Sequence, residues 1–207
     1  RQDRVCVKGE PLSAHVYAQL INSCEFDGVL CVTPHSDVMP ALINKLQIVE
    51  NFDAYQISEH YIKHIPKNGT VNIIIPDAGA AKRTREIAKS CTTKRPDVTV
   101  NLVQAEKDRC LETGKILNFS VQSEDLEGQP TIIIDDINCN GGTFIGLAGK
   151  LRERKCGELT LYTTHTDHVR GIHNVSQHFN KVITCNTNGH LDSGFMPERV
   201  TIIPIFQ

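Results

Sequence analysis

The sequence predicts an α/β chain built on a largely parallel sheet with helices on both faces. Apolar runs rich in β-branched residues recur at 28–32, 71–75, 98–105, 131–135, 159–164 and 182–186, and most lead into helical spacing. The runs Val71 to Ile75 and Thr131 to Ile134 are nearly continuous rather than alternating, as in strands buried on both faces. Each ends in acidic residues and glycine, which the pattern places at the carboxyl ends of strands, where open α/β sheets bind ligands. Right-handed crossovers between such strands put helices on both sides.

Taken in order, the first ten residues are polar and basic, led by Arg1, Gln2, Asp3 and Arg4, and alone read as a solvated terminus. Pro11 and Ser13 open a helical pattern that runs through Cys24. Gly28 to Val32 is a short strand with Thr33-Pro34-His35-Ser36-Asp37 at its end, where a lone His35 is either structural or catalytic. Helical spacing returns from Ser36 to Leu46 (Val38, Ala41, Leu42, Leu46) and from Asp53 to Ile65 (Tyr55, Ile57, Tyr61, Ile65), and both faces are expected to be core. Pro66-Lys67-Asn68-Gly69 is a turn.

Val71 to Ile75 delivers Asp77 and Gly79 to the sheet edge, and the helix that follows runs to about Ser90, with Lys82 and Arg83 either surface charge or substrate contacts, of which the surface is expected. In the next strand Val98, Val100 and Leu102 alternate with polar neighbours, and Glu106 to Lys115 is charged, as in a solvated hairpin whose second strand is Ile116 to Val121. Thr131 to Ile134 leads into Asp135-Asp136 and then the turn Gly141-Gly142-Thr143, with a helix from Phe144 to Arg154. A glycine turn that opens a helix offers free N–H groups to a phosphate, with no Cβ in the way. Two adjacent carboxylates are suited to a ribose diol or a magnesium ion. Together these parts describe a sugar phosphate with a metal; the plainer alternative is a buried strand ending in an Asp-Asp turn. Strands at 159–164, leading to His165, at 182–184 and at 200–206 complete the pattern.

Composition narrows the function. With 22 Lys and Arg against 24 Asp and Glu the net charge is −2, which gives no electrostatic case for nucleic acid. There is no apolar run near membrane-spanning length, and the opening residues are not expected to be a signal peptide. The eight cysteines form no C-x-x-C pair, so reduced thiols in a cytoplasmic protein are expected. The chain opens on Arg1 rather than Met, so a truncated or processed start is considered.

Residues 131–143 resemble the phosphoribosyl-pyrophosphate (PRPP) loop of the type I phosphoribosyltransferase fold, with Cys139 and Asn140 where Asp and Thr are common. Three further stretches are similar to the ribose-phosphate pyrophosphokinases, or PRPP synthetases: Arg1-Gln2-Asp3-Arg4 before a Pro-x-Ser helix, Pro76-Asp77-Ala78-Gly79 before a basic helix, and Lys107-x-Arg109. The resemblance implies a phosphoribosyltransferase-like domain at 48–207 and, at 1–47, the C-terminal part of a preceding similar domain carrying an ATP-binding segment. It implies transfer of diphosphate from Mg-ATP to the 1-hydroxyl of ribose 5-phosphate. Asp77, Asp135, Asp136, Asn138, Cys139, Asn140, Gly141, Gly142 and Thr143 would bind ribose 5-phosphate or PRPP. Lys107 and Arg109 would be catalytic, Arg1, Gln2 and His35 would hold ATP, and His35 and Asp77 would hold Mg²⁺, the implied cofactor. Thr33 and Cys6 stand where the family has acidic residues, with Asp37 a candidate replacement for the first. The implied partners are ATP, ribose 5-phosphate and further copies of the chain in a homo-oligomer. Alternatives are a non-catalytic or regulatory homologue that binds nucleotide or PRPP and, last, a phosphoribosyltransferase that consumes PRPP.

Overall fold

The computed structural model describes residues 2–109, 116–187, 191 and 196–205, with the backbone alone at 108, 109, 116 and 117. The chain divides into two compact units, Arg1–Phe52 and Asp53–Gln207.

In the first unit, helix α1 (Ser13–Ser23) is followed by β1 (Val29–Cys31), a short helix α2 (Val38–Leu42) and β2 (Leu46–Ile48), with β1 and β2 parallel. The helix expected to reach Leu46 stops early. Ile43 is extended, Lys45 takes a left-handed φ of 55°, and Asn22 holds the turn by accepting from the Asn44 N–H at 2.8 Å. The core residue here is therefore Ile43 and not Ala41 or Leu46, which are exposed and half-buried. Ala14 and Ala18 are the buried side of α1, while Val16, Tyr17 and Leu20 are exposed.

The second unit is a seven-stranded sheet in the order β5-β4-β3-β6-β7-β8-β9. The strands are β3 (Thr70–Ile75), β4 (Thr99–Arg109), β5 (Ile116–Val121), β6 (Thr131–Asn138), β7 (Leu159–Thr166), β8 (Lys181–Cys185) and β9 (Val200–Ile203). All neighbouring pairs are parallel except the β4–β5 hairpin. Helices α3 (Phe52–His60), α4 (Ala81–Lys94), α5 (Gly142–Glu153) and α6 (Val169–Ser176) belong to the same unit apart from Phe52. The continuous runs at 71–75 and 131–134 are the two central strands, and Ile73, Ile74, Ile132, Ile133 and Ile134 are fully buried. Leu147 and Leu151 of α5 and Phe179 pack into the same core.

Differences from the expected elements have local causes. β4 runs on through Arg109 because cross-strand pairs, Lys107 opposite Phe119 among them, carry the hairpin further than a charged loop would. In β4 the buried residues are Val103 and Ala105, and Leu102 is 43% exposed. The expected helix at 53–65 ends at His60 and continues as a 3-10 turn at Ile62–His64. Its Tyr55 is exposed, with the Lys94 ammonium 5.2 Å over its ring.

A buried acid anchors α3 to the sheet. Asp53, in the first turn where a negative charge favours the helix dipole, accepts from the Tyr162 hydroxyl at 2.9 Å and the Thr164 hydroxyl at 2.6 Å. Burial, with the Asp53 charge added, raises the Tyr162 phenol and pushes the Cys185 thiol up to about 12. Asp53→Ala strands both hydroxyls in the core, and denaturant unfolding is expected to show a loss of about 3 kcal/mol. A loss below about 1 kcal/mol would mean the hydroxyls find other acceptors.

Candidate functional site

The carboxyl ends of β4, β3 and β6 lie side by side in the sheet and bring together most of the residues singled out in the second unit. Asp77 follows β3. Its Oδ1 accepts the Ala80 N–H at 3.1 Å, and its Oδ2 takes the Lys107 ammonium from β4 at 2.5 Å. Burial pushes the Asp77 carboxyl up, but the Lys107 hydrogen bond and charge and the Ala80 and Gly79 N–H groups outweigh it and hold the group below its ordinary value.

The acidic pair ends β6. Asp136 is 5% exposed, and the Asp136 N–H donates to Asp135 Oδ1 at 2.9 Å. Arg83, expected on the surface of its helix, turns inward instead. Its guanidinium lies 3.1 Å from Asp135 Oδ1 and 3.7 Å from Asp136 Oδ1, whereas Lys82 is exposed. The reason is position: Arg83 is the third residue of α4, which starts at the end of β3, and β3 is the sheet neighbour of β6. Burial, then the Asp136 carboxyl, pushes Asp135 up to about 7, while Arg83 pulls the other way. Between the ordinary aspartate pKa of about 4 and 7 the folded chain holds a proton that the unfolded chain has released. The pair therefore removes stability as pH rises through that window.

From Asn138 the chain turns into the glycine loop. Cys139, Asn140 and Gly142 are exposed, Thr143 is half-buried, and Asn138 is buried with neither amide atom hydrogen-bonded within the chain. Gly141 is the residue before α5 and has a left-handed φ of 81°. A Cβ there would sit 2.5 Å from Val175 Cγ1, so space and backbone both require glycine. No side chain caps α5, so its first N–H groups remain available to an anion. Gly141→Ala is expected to lower stability by about 1–3 kcal/mol, checked by thermal or urea unfolding, and a neutral result would place the loop in another conformation.

The loop helix is also tied to the hairpin. The Phe119 ring, opposite Lys107, lies so close to Gly146 of α5 that a Cβ on Gly146 would fall 2.2 Å from it. In β7, His165 is half-buried opposite Ile137. In the first unit, Gln2 is joined to α1 by its carbonyl, which accepts the Ala14 N–H at 2.9 Å. Asp3 is bonded by the Ser36 side chain, the main cause of its lowered pKa, and lies in the field of His35, which is exposed. Arg1 and the side chain of Arg109 lie outside the described residues.

Among the described residues no group of three or more His, Cys, Asp or Glu side chains could hold a metal ion. Each Asp77 oxygen accepts one hydrogen bond, and Cys139 brings a soft thiol where Mg²⁺ prefers hard oxygen ligands.

No protein-family profile matches the chain. The ribose-phosphate pyrophosphokinase of Ureaplasma parvum is 28% identical over 193 residues, covering 88% of this chain and 52% of that protein. The enzyme of the same name from Pyrococcus abyssi is 28% identical over 189 residues, covering 90% of this chain and 61% of that one. Among solved structures, phosphoribosylpyrophosphate synthetase from Mycobacterium smegmatis superposes with a TM-score of 0.76 at 23% identity, over 99% of this chain and 63% of that chain. The chain is similar in sequence to the ribose-phosphate pyrophosphokinases. The synthetase structure gives the fold, and the curated relatives give the likeness in sequence. The chain spans about half to three-fifths of the length of these pyrophosphokinases. Among the described residues no helix is long and apolar enough to cross a membrane.

Gly171 and Val175 were not legible as site residues, and the inward turn of Arg83 was the less expected of its two readings. For Arg83 the residues of the helix leave open which strand lies beside it, and that adjacency decides the direction of the side chain. For Gly171 and Val175, some thirty residues beyond the loop they touch, the sequence offers no signal.

Proposed function

We propose that this chain carries the ribose-phosphate half of a diphosphoryl transfer from ATP to ribose 5-phosphate, with PRPP and AMP as products. The single observation behind the reading is the convergence at one sheet edge of an acidic pair, a glycine loop and a lysine on Asp77. Asn140 to Thr143 would hold the 5-phosphate through backbone N–H groups, with Asn138 and Cys139 shaping the loop. Asp135 and Asp136 would accept hydrogen bonds from the ribose diol, with Asp77 beside them. Lys107 and Arg109 would neutralise charge on the moving diphosphate, in a reaction that asks for positioning and electrostatics more than covalent chemistry. Arg1, Gln2 and His35 would hold the nucleotide.

In the transfer the sugar's 1-hydroxyl oxygen forms a bond to the β-phosphorus of ATP. The bond from that phosphorus to the oxygen of the α-phosphate breaks, AMP leaves with the electron pair, and the hydroxyl proton is released. Magnesium enters only as the counter-ion of the nucleotide substrate. The curated relatives carry the pyrophosphokinase name, which supports the reaction class; a homo-oligomer is proposed from the family resemblance alone. The test is AMP release from Mg-ATP on addition of ribose 5-phosphate. Turnover of ATP that is indifferent to the sugar would overturn the reading.

A second reading rests on the donor set. With each Asp77 oxygen accepting a hydrogen bond and a thiol at Cys139, the chain would bind PRPP or nucleotide without turnover and serve an active partner. PRPP binding with no AMP formation, in a chain that co-purifies with an active synthetase, would favour it.

A further inference from the structure

Three residues on one face of α6 hold the backbone of the glycine loop. Gly171 approaches it so closely that a Cβ would fall 1.9 Å from the Cys139 carbonyl oxygen and 3.0 Å from its carbon. One turn on, the Asn174 side chain donates to the Asn140 carbonyl at 3.2 Å, and the Val175 methyl occupies the space a Cβ on Gly141 would need. The spacing of 171, 174 and 175 is that of a single helical face. Ahead of the helix, the Asp167 N–H donates to the Asn138 carbonyl at 3.0 Å. Consecutive carbonyls at 138, 139 and 140 are thus met from one side by Asp167, Gly171 and Asn174.

Fixing those carbonyls fixes the peptide planes, and so the direction of the N–H groups that follow. We propose that α6 is a clamp on the phosphate loop, with Gly171, Asn174 and Val175 as positioning residues that aim the N–H groups of Asn140 and Gly141, where the loop enters α5, at a phosphate monoester. The clamp deepens the ribose-phosphate reading above and rests on it for the identity of the ligand. It acts through backbone geometry and leaves the sugar contacts of the acidic pair untouched.

The test compares the whole chain with Asn174→Ala and Gly171→Ala in two measurements. The first is amide hydrogen exchange without ligand. Exchange of residues 139–143 is expected to rise several-fold in both variants, while segments of β3 and β7 keep their protection. Unchanged exchange in the loop would overturn the clamp, and so would a rise spread evenly over the sheet. The second is calorimetric titration with ribose 5-phosphate and, separately, with inorganic phosphate. Loss of the Asn174 hydrogen bond should weaken both ligands by the same factor, about fivefold. Displacement of the loop by Gly171→Ala should weaken both by about tenfold or more. Affinities unchanged in both variants would contradict the clamp. If the unaltered chain binds neither ligand while the loop exchange still responds, the ribose-phosphate reading fails and the clamp on the loop stands.

Discussion

Lys107→Ala in the intact protein is expected to lower the rate of ribose 5-phosphate-dependent AMP formation by roughly 10²–10³, the scale for one preorganised charge-stabilising donor. Lys107 stands on a strand whose partner, Phe119, is packed on the loop helix, so its ammonium is delivered by rigid structure. In the absence of substrate it is held by Asp77 at 2.5 Å. The lysine must exchange that carboxylate for phosphoryl oxygens during the reaction, a trade between two charge-assisted partners. Lys107→Arg should retain part of the rate, because the charge persists with altered geometry. A kcat unchanged by Lys107→Ala would leave the residue as the partner of Asp77 and nothing more.

Asp135→Asn is expected to weaken ribose 5-phosphate and PRPP by roughly 10–100-fold near pH 8, the loss of a charged acceptor for the sugar diol. The pH dependence carries the sharper signature. Burial and the neighbouring Asp136 push Asp135 up to about 7, so below that pH it holds a proton and is a weaker acceptor for the diol. Affinity of the unaltered chain should therefore rise between pH 6 and pH 8, and titrations of Asp135→Asn over the same range should be flatter, leaving only the ligand's own phosphate ionisation. A variant with the full pH response would move the titration elsewhere.

Much of the second unit was legible because its signals are local. A continuous β-branched run such as Ile132-Ile133-Ile134 has no amphipathic reading, so a doubly covered strand follows, and the acidic pair and glycines are its immediate continuation. Asp77 and its glycine were found in the same way. Arg83 was misjudged because a helix residue's exposure depends on which strand lies beside the helix, and the β3–β6 adjacency is written nowhere in residues 81–94. The grip of α6 joins residues 139–141 to residues 171–175 and depends on where the chain returns after β7. The strand Leu46–Ile48 was missed because three residues, one half-buried and two exposed, carry too little periodicity to end the helical pattern that ran to Leu46. Charge in Glu106 to Arg109 suggested a loop, yet cross-strand pairing overrode it.

The central claim is that the edge formed by Asp77, Asp135, Asp136 and the loop to Thr143 is a ribose-phosphate site. Calorimetric titration of the chain with PRPP at pH 8, beside Asp135→Asn, tests it most directly. The expected result is saturable binding of one PRPP per chain, weakened at least about tenfold in the variant. No binding by the unaltered chain, or equal binding by both, would contradict the assignment.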